Sequence, residues 1–163
     1  MVIRNCNIMF NSKNYGITIV YHTDKIGIEI RDSLNIDEYN NLRKQVGWEP
    51  KNPIVVEKAI KNSTIVKKAI YDNFAVGMAR AIGDGMSYLL VDVVVNSKYQ
   101  KKGIGKKLVN SILDEIKENT IAGEYSTINL ISIKGMEKFY ESCGFEAVPF
   151  GYNGNGMRIK IEK

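Results

Sequence analysis

Residues 91–106 read Val-Asp-Val-Val-Val-Asn-Ser-Lys-Tyr-Gln-Lys-Lys-Gly-Ile-Gly-Lys, and they gather the most chemically suggestive groups of the chain into one run. An apolar strand feeds a short basic loop, and two glycines then open an amphipathic helix. The first turn of a helix presents amide N–H groups without internal partners and a partial positive charge, which suits a phosphate. Glycine lets a ligand approach main chain that a side chain would block. Three phosphate-binding turns compete for this segment. A dinucleotide-binding turn needs a third glycine at position 108, where Leu108 stands; a P-loop needs glycine at 100 and Ser or Thr at 107, where Gln100 and Lys107 stand. What remains is Gln100-x-x-Gly103-x-Gly105 at a helix start, after a strand.

The elements that must position this turn are legible around it. Ile17–Tyr21 and Ile26–Ile30 are strand candidates, preceded by residues 1–16, which turn polar towards their end and read as a possible N-terminal extension. Asn35 or Asp37 can cap a helix to about Gln45 that Gly47 stops, and Pro53 suits the first turn of a second helix to about Asn62. Thr64–Tyr71, Ala75–Ile82 and Ser87–Val95 are apolar runs separated by Asp72-Asn73 and Gly83-Asp84-Gly85, both good hairpin turns. After Gly103, Ile104, Leu108, Val109, Ile112, Leu113 and Ile116 form one helical stripe. Thr127–Ile131 is a short strand, and Met136, Phe139, Tyr140 and Cys143 mark a helix that Gly144 ends. A last strand is expected at about Gly156–Ile161. The pattern is α+β with a mixed sheet, in one domain spanning residues 1–163.

Composition narrows the function classes. The 163 residues are 44% hydrophobic and 25% charged, which excludes a mainly disordered chain. No apolar run reaches the ~18 residues of a membrane span, and the N-terminus lacks the pattern of a secretion signal. Cys6 and Cys143 lie too far apart and are too few for a disulfide framework or a cysteine-rich zinc site, so the expected compartment is the reducing cytoplasm. His22 is the only histidine, which leaves no Ser-His-Asp triad and no multi-histidine metal site; no metal is expected. The net charge of +5 suits nucleic acid, an acidic membrane surface or a small polyanion. No aromatic-rich basic face supports nucleic acid, and neither nucleic acid nor membrane is an expected partner.

The glycine turn resembles the acetyl-CoA pyrophosphate signature of the GNAT N-acetyltransferase superfamily. The resemblance covers about residues 17–161, and Phe139-Tyr140-Glu141-Ser142-Cys143-Gly144-Phe145 is similar to the family's second signature. Gly77-Met78-Ala79-Arg80 with Gly83-Asp84-Gly85 also looks like the third strand and turn of bacterial members. An asparagine common in the family seven residues before the helix tyrosine is here Ile133, so that contact is not carried over. The resemblance implies a mostly antiparallel sheet of about seven strands, about four helices, and a splay between the fourth and fifth strands. In that splay the main chain of Val93, Val94 and Val95 is expected to bond the pantetheine arm. Gln100, Lys101, Lys102, Gly103, Ile104, Gly105 and Lys106 are expected to hold the pyrophosphate.

The implied activity is transfer of an acetyl group from acetyl-CoA to a primary amine, by direct attack in a ternary complex. A small-molecule acceptor (a polyamine, arylalkylamine or aminoglycoside) is preferred over a protein lysine or N-terminus, and a homodimer is compatible. A non-catalytic acyl-CoA sensor on the same fold is the rival reading. Tyr140 sits in the family's general-acid position, where a phenol can protonate a departing thiolate. Asp92, the only acid in Leu89–Val95, is the first candidate for taking the amine's proton through a water, with Glu29 and Glu49 behind it. It can equally bond backbone or a tyrosine in a structural role. Cys143 needs no catalytic role in direct transfer, and Trp48 either walls the acceptor site or caps the core.

Overall fold

The computed structural model describes residues 27–149, 151 and 154, with two short paired strands nearer the N-terminus, β1 (Ile8–Met9) and β2 (Thr18–Ile19). The main sheet has five strands in the order β3 (Glu29–Arg31), β4 (Ile65–Tyr71), β5 (Phe74–Gly83), β6 (Ser87–Val95) and β7 (Thr127–Asn129). Four α-helices accompany it: α1 (Ile36–Gln45), α2 (Pro53–Lys61), α3 (Ile104–Asn119) and α4 (Glu137–Glu141). The sheet is antiparallel from β3 to β6, and β7 joins β6 in parallel.

Local chemistry explains most boundaries. Asn35 and Glu38 form a reciprocal capping box at the start of α1, and Asn52 caps α2 with Pro53 in its first turn. Asp72 and Asn73 both adopt positive φ (50° and 63°), the conformation a tight two-residue hairpin demands. At the next turn, Asp84 accepts from the amides of Met86 and Ser87, each within 3.0 Å. The sheet has a helical layer on each face. On one, α3 buries Ile104, Leu108, Val109, Ile112 and Ile116 against Ala69, Val76, Ala79 and Leu90; on the other, Tyr39, Leu42 and Val56 of α1 and α2 pack on Met78 and Val94. Strand alternation even assigns the buried lysines of β4. Lys67 reaches Glu115 of α3, and Lys68 reaches Glu38 of α1.

Three expectations change. The sheet has five strands among the described residues rather than about seven, and the strand expected at 156–161 lies outside them. The strand at Thr18–Ile19 pairs with β1, which falls inside the segment read as an extension, and the two form a separate sheet. The final helix is one short turn, α4; Met136 stands just before it with an exposed side chain, so the apolar stripe outlasts the helix.

Candidate active site

The glycine turn takes up the geometry its sequence implies. Lys101 and Gly103 have φ of 60° and 79°, both in the left-handed region. Gly103 caps α3 without any side-chain bond, and the first helical hydrogen bond runs from Lys107 N–H to the Gly103 carbonyl at 3.0 Å. The amides of Ile104, Gly105 and Lys106 therefore precede the ladder and are free of it. A Cβ built on Gly103 would meet nothing within 4 Å, so the space beside these amides is open. The uncapped amides and that open space fit the diphosphate of acetyl-CoA.

Gly105 is glycine for another reason. A Cβ there would lie 3.2 Å from Phe139 Cζ and 3.7 Å from Val95 Cγ2, so its bareness lets α3 approach α4 and the end of β6. Gln100 donates from Nε2 to the Val95 carbonyl at 2.9 Å and ties the loop to the strand. Lys106 donates to the Ser142 carbonyl at 2.6 Å, and the Lys102 ammonium lies 5.3 Å from the Tyr99 ring centroid.

Beside this turn the sheet opens. The β6–β7 ladder pairs Ser87, Tyr88 and Leu89 with Thr127, Ile128 and Asn129, and no further pair follows among the described residues. On its other side, β6 stays on β5 as far as Gly77↔Val95, and Asn96 N–H donates to the Val76 carbonyl at 2.9 Å. Counting back by the two-residue alternation of an antiparallel ladder, Val94 turns its main chain to β5, while Val93 and Val95 turn theirs to the open side. The expectation that the Val94 main chain contacts the arm is therefore corrected: it is bonded towards β5, its side chain is core at 3% exposure, and only Val93 and Val95 face the splay.

A cleft of about 260 Å³ fills the splay, lined by Trp48, Leu89, Leu90, Val91, Asp92, Val93, Ile131, Ile133 and Tyr140. Tyr140 rests edge-on against Phe139 and Phe145, with centroids 4.9 and 6.0 Å away. Its hydroxyl has no hydrogen-bond partner among the described residues, where no buried polar side-chain atom lacks one, so it reaches the cleft. Burial, and secondarily Cys143 nearby, raise the phenol above its ordinary value and keep it protonated.

Asp92 is tied down. Its Oδ2 accepts from Tyr39 Oη at 2.8 Å and from Arg80 Nε and Nη2 at 3.0 and 2.6 Å, while Arg43 Nη1 stands 3.9 Å from Oδ1. Arg80 in turn donates from Nη1 to the Ala59 carbonyl at 2.9 Å and to Ser63 Oγ at 2.5 Å. Arg43 lies 5.0 Å from the Trp48 centroid, so Trp48 both lines the cleft and seats a guanidinium. The roles of Tyr39, Arg43 and Arg80 were not anticipated from sequence. One signal was available: a lone Arg80 and a lone Asp92 in neighbouring apolar strands should pair. Glu29 stands on β3, three strands away from β6, exposed and bonded to Arg31. Its distance removes it from the cleft. Glu49 contributes its main-chain carbonyl to Arg43 at 2.9 Å, and His22 and Cys6 lie outside the described residues.

Comparison of the whole chain with known proteins identifies its family. The model of the "Acetyltransferase (GNAT) domain" matches residues 46–160. An uncharacterized N-acetyltransferase, ycf52, of Pyropia yezoensis is 31% identical, over 93% of this chain and 92% of that protein. Among solved structures, a GNAT family acetyltransferase from Streptococcus pneumoniae superposes with a TM-score of 0.67 at 27% identity, covering 83% of this chain and 98% of that one. A meticillin-resistant Staphylococcus aureus protein of unknown function gives 0.71 at 26% identity, covering 82% and 99%. The chain therefore belongs to the GNAT family and is an acetyl-CoA-dependent N-acetyltransferase.

Proposed function

We propose that this protein acetylates a primary amine of a small molecule by direct attack in a ternary complex, with Tyr140 as the general acid. The observation that carries this reading is the Tyr140 hydroxyl, unpaired within the described protein and facing the cleft beside the open edge of β6. Acetyl-CoA supplies a thioester whose carbonyl accepts the amine and whose sulfur leaves. The amides at the start of α3 and the lysines of the loop bind its diphosphate, with Gly103 leaving room for close approach. The outward main chain of Val93 bonds the pantetheine arm as an added strand would, and that of Val95 faces the thioester. The Val95 carbonyl is already engaged by Gln100, which leaves its N–H as the donor for the developing oxyanion. The buried phenol then gives its proton to the thiolate.

The walls of the cleft favour a compact acceptor with an apolar body, since Trp48, Leu89, Ile131 and Ile133 surround the space. A single GNAT domain is supported by the two helical layers sharing one sheet. A reducing compartment is supported by the free thiol of Cys143, and no helix among the described residues is long and apolar enough to cross a membrane. The test is thiol release from acetyl-CoA against a panel of small amines, polyamines, aminoglycosides and lysine peptides. Release with a small amine at least tenfold more efficient in kcat/KM than with any peptide is expected. Preference for a peptide would contradict the small-molecule reading, and CoA binding without release for any amine would favour a sensor.

A further inference from the structure

The open edge of β6 begins at an irregularity. Between the pairs Arg80↔Val91 and Met78↔Val94, one residue of β5, Ala79, faces two of β6, Asp92 and Val93. Asp92 has φ of 51°, a left-handed conformation that a bulge of this kind usually gives to glycine and that aspartate tolerates better than most side chains. The extra residue reverses the side-chain alternation of the strand. Before it, Tyr88 and Leu90 pack with α3; after it, Val93 and Val95 do so, and Val94 packs with α1 and α2. Were Asp92 to relax to an ordinary extended conformation, a one-residue slip would follow. Val93 and Val95 would change faces, and Val94 would turn its main chain to the open side in their place.

What holds Asp92 in this conformation is Arg80, from across the bulge. Arg80 is 5% exposed, sends two donors to Asp92 Oδ2, and spends its third nitrogen on the end of α2. Tyr39 adds a donor from α1 to the same oxygen. The carboxylate therefore binds β5 and α1 directly and α2 through Arg80, and its own main chain is the bulge.

We propose that Arg80 and Asp92 are positioning residues: the two hydrogen bonds that Arg80 donates to the Asp92 side chain lock the bulge and so present the main chain of Val93 and Val95 to acetyl-CoA. This rests on the reading of that edge as the pantetheine site. It gives Asp92 a role other than the proton acceptor expected from sequence, because three donors share Oδ2 and the Arg43 guanidinium stands 3.9 Å from Oδ1. Transfer of the amine proton then falls to water.

Three variants separate these roles: Asp92→Asn, Asp92→Ala and Arg80→Lys. CoA affinity is read by calorimetry, turnover by thiol release, and folding by thermal melting. In Asp92→Asn the amide oxygen still accepts from Tyr39 and Arg80, and asparagine also tolerates left-handed backbone. CoA affinity per folded molecule is expected within about threefold of wild type and the shape of the pH–rate profile is kept, while the melting temperature falls because the buried Arg80 cation loses its counter-charge. Asp92→Ala loses the clamp, and CoA affinity is expected to fall at least tenfold. Should Asp92→Ala not fold, Arg80→Lys carries the test, because it keeps the charge but loses the two-donor fork. An affinity loss of at least about fivefold is expected there.

Unchanged CoA affinity in folded Asp92→Ala or Arg80→Lys would overturn the clamp. A loss of about 100-fold or more in kcat for Asp92→Asn, with CoA affinity intact, would overturn it in favour of a proton acceptor. Wild-type protein that binds no CoA would overturn the reading of the edge, and the clamp's purpose with it. Because CoA binding is read without turnover, failure to acetylate any amine would count against the enzymatic proposal alone.

Discussion

Gly103 and Gly105 stand two positions apart and are glycine for different physical reasons. Gly103 combines a left-handed φ of 79° with open space where a Cβ would be, so any side chain there is strained and enters the volume assigned to the diphosphate. Gly105 faces Phe139 at 3.2 Å, so a side chain there meets protein rather than ligand. Gly103→Val is expected to weaken CoA binding at least tenfold, about 1.4 kcal/mol. Gly105→Ala is expected to cost about 1–3 kcal/mol of stability through overpacking, with CoA affinity within about threefold of wild type in the folded protein. Calorimetry and thermal melting check the pair, and equal CoA losses from both would contradict the distinction. From sequence alone both glycines read as ligand contacts, because a G-x-G pattern records the absence of a side chain and not what lies opposite.

At the scale of elements, the hairpins and α3 were legible because their signals are local. Asp72-Asn73 and Asp84-Gly85 carry their turn chemistry locally, in residues that tolerate positive φ and in the Asp84 side chain, and the α3 stripe repeats for four turns with every one of its fully apolar positions facing the sheet. The bulge in β6 was not legible. Val93, Val94 and Val95 are the same residue, so a slip of face leaves no mark on an apolar pattern of period two. Asp92 stood out as an acid among valines, but whether it faced a cleft, a tyrosine or an arginine depended on β5 and α1 arriving beside it. Glu29 failed as a candidate for the complementary reason: nothing in the chain order says that β3 ends up at the sheet edge away from β7. The short α4 follows from Gly135, whose φ of 90° precedes Met136 and prevents an earlier helical start. Tyr140 lines the cleft, and its motif sets it one turn before Gly144, whose φ of 95° closes the helix.

For the molecule as a whole, the exposed carboxylates of Glu29 and Asp84 are held below their ordinary values by their hydrogen bonds, whereas the buried groups that depart from ordinary ionisation point to the alkaline side. Burial, then the charge and hydrogen bond of Asp92, raise Tyr39 despite the opposing Arg80 and Arg43; burial raises Tyr140. Burial alone would lower Lys67, but its bonds to Asp32 and Glu115 outweigh it and the ammonium ends above its ordinary value. In each case the folded state holds a proton that the unfolded chain releases first. Their stabilisation is therefore complete below about pH 10 and is lost as pH rises through the raised folded values. Melting temperature is expected to fall above about pH 10, and Tyr39→Phe to lessen that slope while costing stability at neutral pH through the lost bond to Asp92. A slope unchanged in Tyr39→Phe would contradict this assignment. The raised Tyr140 also bears on catalysis, since it keeps the acid loaded across the neutral range. The most direct test of the mechanism is kcat and CoA affinity measured together in Tyr140→Phe, which keeps the ring on Phe139 and Phe145 and removes only the hydroxyl. Turnover about 100-fold below wild type, with CoA affinity within about threefold, is the expected result, since a thiolate can also leave unassisted. Wild-type turnover in that variant would contradict the general-acid role and leave Tyr140 a packing residue.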